Sequence, residues 1–333
     1  MTNKLIVIKF RTVLTLPFYF LLGGITMVKN IPDGVYPTMV TPYTADNKID
    51  YDAVLKILEF YSTHGVDGVF AICQSSEIFF LSFEERLELL KFIIKNLPKG
   101  MSVVASGHTA DDLDTQIREA NAFIDCGIDA YVFIANRFAK QDEGDDVFLK
   151  NYETVVNAIP EIGLGVYECP YPYKRIMMPD VLRKCAEISP LRFLKDTCCN
   201  IELIGEKLKA VEGTDLKIYN ANSATLLESL RLGCAGFSGV MGNFHPEIYS
   251  WLCKNFKDDP EKAEVIQAFL GFASLAECQQ YPVNAKYYLS LCGIDMGYTS
   301  RARDASLFRK NFQNEIEQMY VITERFKEDH GIK

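Results

Sequence analysis

The sequence predicts a (β/α)8 barrel of the TIM type with a helical region appended at its C-terminus. Three observations carry that prediction. Short β-rich runs recur with a regular beat, at Val35–Tyr43, Gly68–Cys73, Ser102–Gly107, Ala130–Ala135, Gly163–Cys169, Leu191–Lys195, Leu216–Asn220 and Gly236–Val240. Helical patterns separate them, and eight strand–helix units in about 220 residues match such a barrel in size. Several runs are continuously apolar rather than alternating, as in Asp129-Ala-Tyr-Val-Phe-Ile-Ala135, which suits parallel strands covered on both faces.

The helical patterns have physical starts and stops. Val54, Ile57, Leu58 and Tyr61 form one apolar stripe at i, i+3, i+4, i+7. Ser82-Phe-Glu-Glu85 is a capping box opening a helix through Ile94, and Pro98 stops it. Pro179 and Pro246 sit where first-turn prolines belong. Ser223 suits the N-cap of a helix over Ala224–Leu232, with Gly233 as its C-cap. A doubly wound open sheet is the rival fold. It would usually carry a Gly-rich nucleotide loop after its first strand, and Pro42-Tyr-Thr-Ala45 is not one. After residue 257 the beat changes, and Pro260–Gln280, Val283–Leu291 and Asp304–His330 read as helices only. The expected organisation is a barrel over 27–257 and a helical region over 258–333.

Residues 1–26 fit neither part. The apolar run Val13–Leu22 follows Lys4, Lys9 and Arg11 and is broken by Thr15 and Pro17. It is shorter than the roughly 20 residues that span a bilayer, and no A-x-A-like cleavage site follows it. Gly23-Gly-Ile-Thr-Met27 has the form of a ribosome-binding site read in frame, so we expect translation to start at Met27 and 1–26 to be a non-native extension.

Composition excludes several classes. The 333 residues carry 35 Lys+Arg against 44 Asp+Glu, a formal net charge of −9, with no basic run longer than two. That argues against a nucleic-acid partner. The ten cysteines include no C-x-x-C pair, and Cys198 and Cys199 are adjacent, a poor geometry for a bridge. A reducing, cytoplasmic setting fits better than a disulfide framework. His64, His108, His245 and His330 lie far apart without ligand spacing, so no metal is expected.

In such barrels the chemistry sits where strands end and βα loops begin. Lys195 ends the sixth run and shares a face with Phe193, because strand side chains alternate. If that face is the barrel interior, desolvation lowers the amine's pKa, and the neutral amine can attack a ketone to form an imine. The same position suits a lysine that snorkels to solvent or pairs with Asp196, and strand chemistry alone leaves both readings open. Tyr167 ends the preceding run, where a phenol can relay protons or simply fill the barrel top. Ser75 and Ser76 offer hydroxyls and N–H groups in a tight βα turn, which can hold a carboxylate or be an ordinary polar loop.

From Ile31 to the C-terminus the chain resembles the dihydrodipicolinate synthase / N-acetylneuraminate lyase family. Val35-Tyr-Pro-Thr-Met-Val-Thr-Pro-Tyr43 is similar to the family's opening strand. Gly65-Val-Asp-Gly68 and the Ser75-Ser76-Glu77 turn resemble its second strand and Gly-Thr-Thr-Gly-Glu loop. Tyr167-x-x-Pro170 resembles its catalytic-tyrosine strand, and Leu194-Lys195-Asp196, 28 residues on from Tyr167, its Schiff-base lysine strand. The resemblance implies a lyase or aldolase in which Lys195 condenses with pyruvate or a related 2-oxo acid. Tyr167 and Ser75 would move protons, and the Ser75 and Ser76 N–H groups would bind the carboxylate. An aldehyde would be the second substrate, and no cofactor would be needed. With Arg137 and Ser238, the two serines make the implied substrate-binding set.

The sequence also departs from the family. Both loop glycines are missing. Arg137, or Phe138 at an offset of one, stands where dihydrodipicolinate synthases have a second tyrosine that reaches a neighbouring subunit's site. Tyr171 and Pro172 replace the family's Gly-Arg after the catalytic tyrosine. These changes point away from lysine biosynthesis and toward cleavage or condensation of a 2-oxo sugar acid. A barrel that binds a 2-oxo acid without turnover is the reading outside enzymes. The family further implies a homo-oligomer, a tetramer built as a dimer of dimers. Aromatic residues near the fourth and fifth strand ends (Phe138, Tyr171, Tyr173) suit a buried interface.

Overall fold

The computed structural model describes residues 28–333, so the expected 1–26 extension lies outside the described residues. Eight parallel strands alternate with helices: β1 (Gly34–Val35), α1 (Tyr51–Thr63), β2 (Gly68–Phe70), α2 (Phe83–Asn96), β3 (Ser102–Ala105), α3 (Leu113–Ile124), β4 (Ala130–Ile134) and α4 (Asp145–Val156) come first. Then follow β5 (Gly163–Tyr167), α5 (Pro179–Ile188), β6 (Leu191–Asp196), α6 (Ile201–Ala210), β7 (Lys217–Asn220), α7 (Leu226–Leu232), β8 (Gly236–Phe237) and α8 (Pro246–Asn255). Hydrogen-bonded neighbours run β1-β8-β7-β6-β5-β4-β3-β2. A parallel bridge between Thr38 and Phe70 brings β1 to β2, so the sheet curls into a TIM barrel. The helical region adds α9 (Pro260–Ala273), α10 (Val283–Leu291) and α11 (Lys310–His330).

Local signals behave as their chemistry requires. The stripe on α1 is buried together with Ala53. Ser82 and Glu85 cap α2 reciprocally, at 3.1 and 3.0 Å. All five residues of β4 are buried. Gly233 ends α7 at φ 115, a left-handed conformation costly for a residue with a Cβ. Gly236 is required where β8 closes on β1, since a Cβ there would lie 1.9 Å from the Gly34 carbonyl oxygen.

Three boundaries depart from expectation. The first strand ladders with β8 only over Gly34–Val35 and meets β2 through the Thr38–Phe70 bridge alone, because Pro37 and Pro42 have no N–H to give a longer ladder. Asn222, not Ser223, caps the segment before α7, accepting from the Ala224 and Thr225 N–H groups, while the Ser223 hydroxyl turns inward to Tyr249 at 2.6 Å. The expected helix 260–280 ends at Ala273 and tightens into a 3-10 turn over Ser274–Cys278. Gln280 at φ 48, with Pro282 two residues on, prevents its continuation. That break turns Glu277 and Tyr281 toward the barrel mouth.

The barrel interior is floored by aromatic rings. Phe193 stacks on Tyr219 at 4.4 Å between centroids, and Tyr36 and Phe70 meet Phe193 edge-on. The helical region is locked to the barrel by a buried pair, Lys286 Nζ to Glu77 Oε1 at 2.6 Å, with both side chains fully inaccessible. Glu77 also accepts from Ser300 Oγ and from the N–H groups of Arg301 and Ala302. Among the described residues no helix is long and apolar enough to cross a membrane.

Candidate active site

The alternation of β5 and β6 sorts four consecutive chemistries onto two faces. Tyr167 and Lys195 are register partners and point into the barrel. Glu168 and Asp196, one residue on, point outward, where both meet Lys207 of α6, at 2.6 and 2.5 Å. All three of those side chains are inaccessible. Glu168 also accepts from the Met177 and Thr197 N–H groups. This outer ion triad holds the ends of β5 and β6 side by side. Asp196 is thereby committed to Lys207, not to Lys195.

Lys195 is 3% exposed, so the snorkelling reading of this lysine is set aside. Its Nζ lies 4.1 Å from the Tyr167 ring centroid and 5.8 Å from that of Phe70. Burial lowers its pKa below the ordinary lysine value; the Cys73 and Cys169 thiols and Glu277 oppose that shift. An amine that is less costly to deprotonate, resting against aromatic faces, can act as a nucleophile. The Tyr167 hydroxyl donates to Gln74 Oε1 at 3.3 Å, and burial raises its pKa well above the usual phenol value.

Ser75 lies in the 3-10 turn Gln74–Ser76 that follows β2. Its hydroxyl donates to Thr38 Oγ1 at 2.9 Å. Tyr281 comes in behind it: Asn243 Nδ2 reaches the Tyr281 hydroxyl at 3.3 Å, and Ser75 and Thr38 partly offset the burial that raises that phenol. Glu77 ends the turn at φ 62, the left-handed region in which a glycine would be unstrained. Its buried pair with Lys286 holds it there.

These groups open onto one cleft of about 670 Å³ at the C-terminal end of the strands, within the size range of small-molecule sites. Gln74, Ser75, Tyr167 and Lys195 line it from the barrel, and Glu277 and Tyr281 from the helical region. The other expected residues are placed elsewhere. The Ser76 hydroxyl donates to the Met39 and Ala71 carbonyls, and its N–H is used on Cys73 O at 3.1 Å. The Arg137 guanidinium pairs with Asp111 at 2.8 Å and packs 5.1 Å from the Phe79 ring centroid, behind the cleft wall. Phe138 is buried in this chain's own core against Phe133, Phe148 and Tyr152, so it does not reach a neighbour. Ser238 is buried below the mouth, its hydroxyl unpartnered among the described residues.

Sequence reasoning missed Thr38, Gln74, Glu277 and Tyr281. The first two follow the ends of β1 and β2. The last two come from a helical region that strand-end logic does not search. Among the described residues no group of three or more His, Cys, Asp or Glu side chains is placed to hold a metal ion.

A TIM barrel with a buried lysine beside a tyrosine at the C-terminal strand ends has its candidate chemistry where barrel enzymes keep theirs. The particular lineage follows from comparison: residues 31–318 match the dihydrodipicolinate synthetase family, and the chain belongs to it. It is a carbon–carbon lyase of that family. It is similar to 4-hydroxy-tetrahydrodipicolinate synthase of Synechocystis sp., 23% identical over 81% of this chain and 93% of the relative. The corresponding synthase of Acetivibrio thermocellus is 24% identical over 86% and 96%. Among solved structures, a prophage protein of the dihydrodipicolinic acid synthase family from E. coli K12, in complex with pyruvate, superposes with TM-score 0.80. It is 19% identical, with 88% of this chain and 98% of that one covered. CdNal from Clostridium difficile, in complex with mannosamine, gives 0.78 at 17% identity over 87% and 99%.

Proposed function

We propose that this chain forms a Schiff base through Lys195 with pyruvate or a related 2-oxo acid, and cleaves or condenses a 2-oxo sugar acid. The observation that carries the reading is the buried amine of Lys195 against the Tyr167 ring. Pyruvate bound to structural relatives supports the 2-oxo acid. In this reading Tyr167 and Ser75 move protons at the imine and enamine. The first N–H groups of a 3-10 turn have no partner within it, so the Ser75 N–H takes the substrate carboxylate while Ser76 braces the turn. Arg137 and Ser238 act at most through neighbours, Arg137 by way of Phe79. The cleft volume leaves room for an aldehyde beyond a three-carbon acid. The names of the sequence relatives favour a second reading, synthesis of 4-hydroxy-tetrahydrodipicolinate. Tyr171 and Pro172 in place of the Gly-Arg pair weigh against it. Ten cysteines without a disulfide support a reducing cytoplasm, and the family supports a tetramer built as a dimer of dimers.

Borohydride added with pyruvate, then with a wider 2-oxo acid panel, tests the reading. A fixed mass adduct should map to the peptide spanning Phe193 to Thr197. Lys195→Arg and Lys195→Ala should abolish it, since a guanidinium stays protonated and alanine has no amine. An adduct on another lysine, with Lys195 untouched, would refute the assignment. Product masses from an aldehyde panel separate the two readings.

A further inference from the structure

Resting on the imine-forming reading above, we propose that Glu277 is the general acid–base group that serves the departing oxygen of the Lys195 adduct. Glu277 sits in the 3-10 turn Ser274–Cys278 and lines the same cleft as Lys195 and Tyr167. Among the described residues Lys195 is the one charged group that acts on it appreciably. The fully buried carboxylates Glu77 and Glu168 are paired, with Lys286 and Lys207. Glu277, half-buried on the cleft wall, is in no such pair among the described residues and faces the reaction space.

The titratable groups around it come from several elements. Lys195 faces it from β6, Tyr249 from α8 and Tyr281 from its own segment. Lys174 and Arg303 stand at the exposed rim of the cleft. Burial raises the Glu277 carboxyl to about 7, and the Lys195 ammonium draws it part of the way back. Burial likewise lowers the Lys195 amine. Partial burial at one cleft therefore brings the neutral acid and the neutral amine within reach together. Tyr167, raised far above the working range, is the poorer proton donor, because efficiency is best for a pKa near the operating pH.

The Lys195 nitrogen pair attacks the ketone carbon, and the carbonyl π pair moves to oxygen. The oxygen takes a proton from Glu277, and the nitrogen returns one to it, giving a neutral carbinolamine and an intact acid. Glu277 then protonates the hydroxyl, which leaves as water while the nitrogen pair closes the C=N bond. Amine, ketone and carboxylic acid become iminium, water and carboxylate, and the two product charges face each other.

The test is the rate of adduct formation with pyruvate, or with whichever 2-oxo acid of the panel gives the adduct, quenched by borohydride at intervals from pH 5 to 9. The full chain should show a bell-shaped profile with an alkaline fall, because the step needs the neutral amine and the neutral acid together. Glu277→Gln should slow adduct formation by about 10²–10⁴-fold and remove that fall. Glu277→Asp should recover part of the rate with the fall displaced. Glu277→Gln reacting at the unmodified rate with an unchanged profile overturns this role and leaves the Lys195 assignment standing. No adduct from the unmodified chain with any 2-oxo acid overturns both. If Glu277→Gln shows no cooperative melt, Glu277→Asp and the unmodified profile decide, and a profile with no alkaline fall sinks the proposal.

Discussion

Replacing Lys207 by methionine should destabilise the protein by several kcal/mol and make that loss depend on pH. Methionine keeps most of the side chain's length but removes the ammonium that Glu168 and Asp196 share. Two inaccessible carboxylates are then left facing each other without a counter-charge. Breaking a buried pair by deleting one partner costs about 3–5 kcal/mol. An unfolding entropy of about 2.1 cal/mol/K per residue over roughly 300 residues is ~0.6 kcal/mol/K, so Tm should fall by about 5–8 °C. The sign of the pH effect follows from Glu168. Burial, then Asp196, already raise its carboxyl to about 7, against the pull of Lys207. Without Lys207 the folded carboxyl is raised further. A folded pKa above the unfolded one means the folded state binds the extra proton, so stability grows as pH falls. Thermal melts of both proteins from pH 5 to 8 should show the deficit of Lys207→Met largest at pH 8 and smallest at pH 5. A Tm within 1 °C of the unmodified protein, or a deficit flat with pH, would refute the account. The same variant should slow adduct formation, because the triad holds the strand ends that carry Tyr167 and Lys195.

His108 and His245 are buried and held down to about 3, chiefly by desolvation. A folded histidine below its unfolded value of about 6.5 contributes stability that is full above 6.5 and is lost as pH falls toward 3, about 1.4 kcal/mol per pH unit for each. His245 has neither ring nitrogen hydrogen-bonded among the described residues and stacks on Tyr249, so His245→Phe should fold and remove about 2 kcal/mol of the loss between pH 7 and 5; an unchanged acid slope counts against this. Tyr167→Phe should keep the Lys195 adduct while slowing turnover by about 10²–10⁴-fold, and turnover at the unmodified rate would remove the proton role. Mass in solution at micromolar concentration should correspond to a tetramer, and a monomer there would end that proposal.

Much of the barrel is legible in sequence because its signals are local. The apolar stripe of α1, the Ser82–Glu85 capping box, the first-turn prolines and the continuously apolar β4 each depend on neighbours within one turn or one strand. Lys195 and Tyr167 were legible for the same reason, since both end strands and the fold class says what strand ends do. Some things were beyond its reach. Alternation puts Tyr167 and Glu168 on opposite faces, but which face is interior depends on how the sheet closes. Whether Asp196 pairs with Lys195 or Lys207 depends on where α6 docks. Ser76 and Arg137 carry suitable chemistry, yet one hydroxyl turns to backbone carbonyls and one guanidinium to Asp111.

By itself, then, the chain's sequence determined the order of strands and helices and the barrel class, and it named Lys195 and Tyr167 as candidates for imine chemistry. Only the tertiary structure decided that Lys195 is dry, that its neighbours below are aromatic, and that Glu277 and Tyr281 arrive from the helical region to share its cleft. The physical reason is range. Propensity, capping and periodicity act over a few residues, whereas desolvation and charge pairing are set by groups brought together across the fold, 82 residues apart in the case of Lys195 and Glu277.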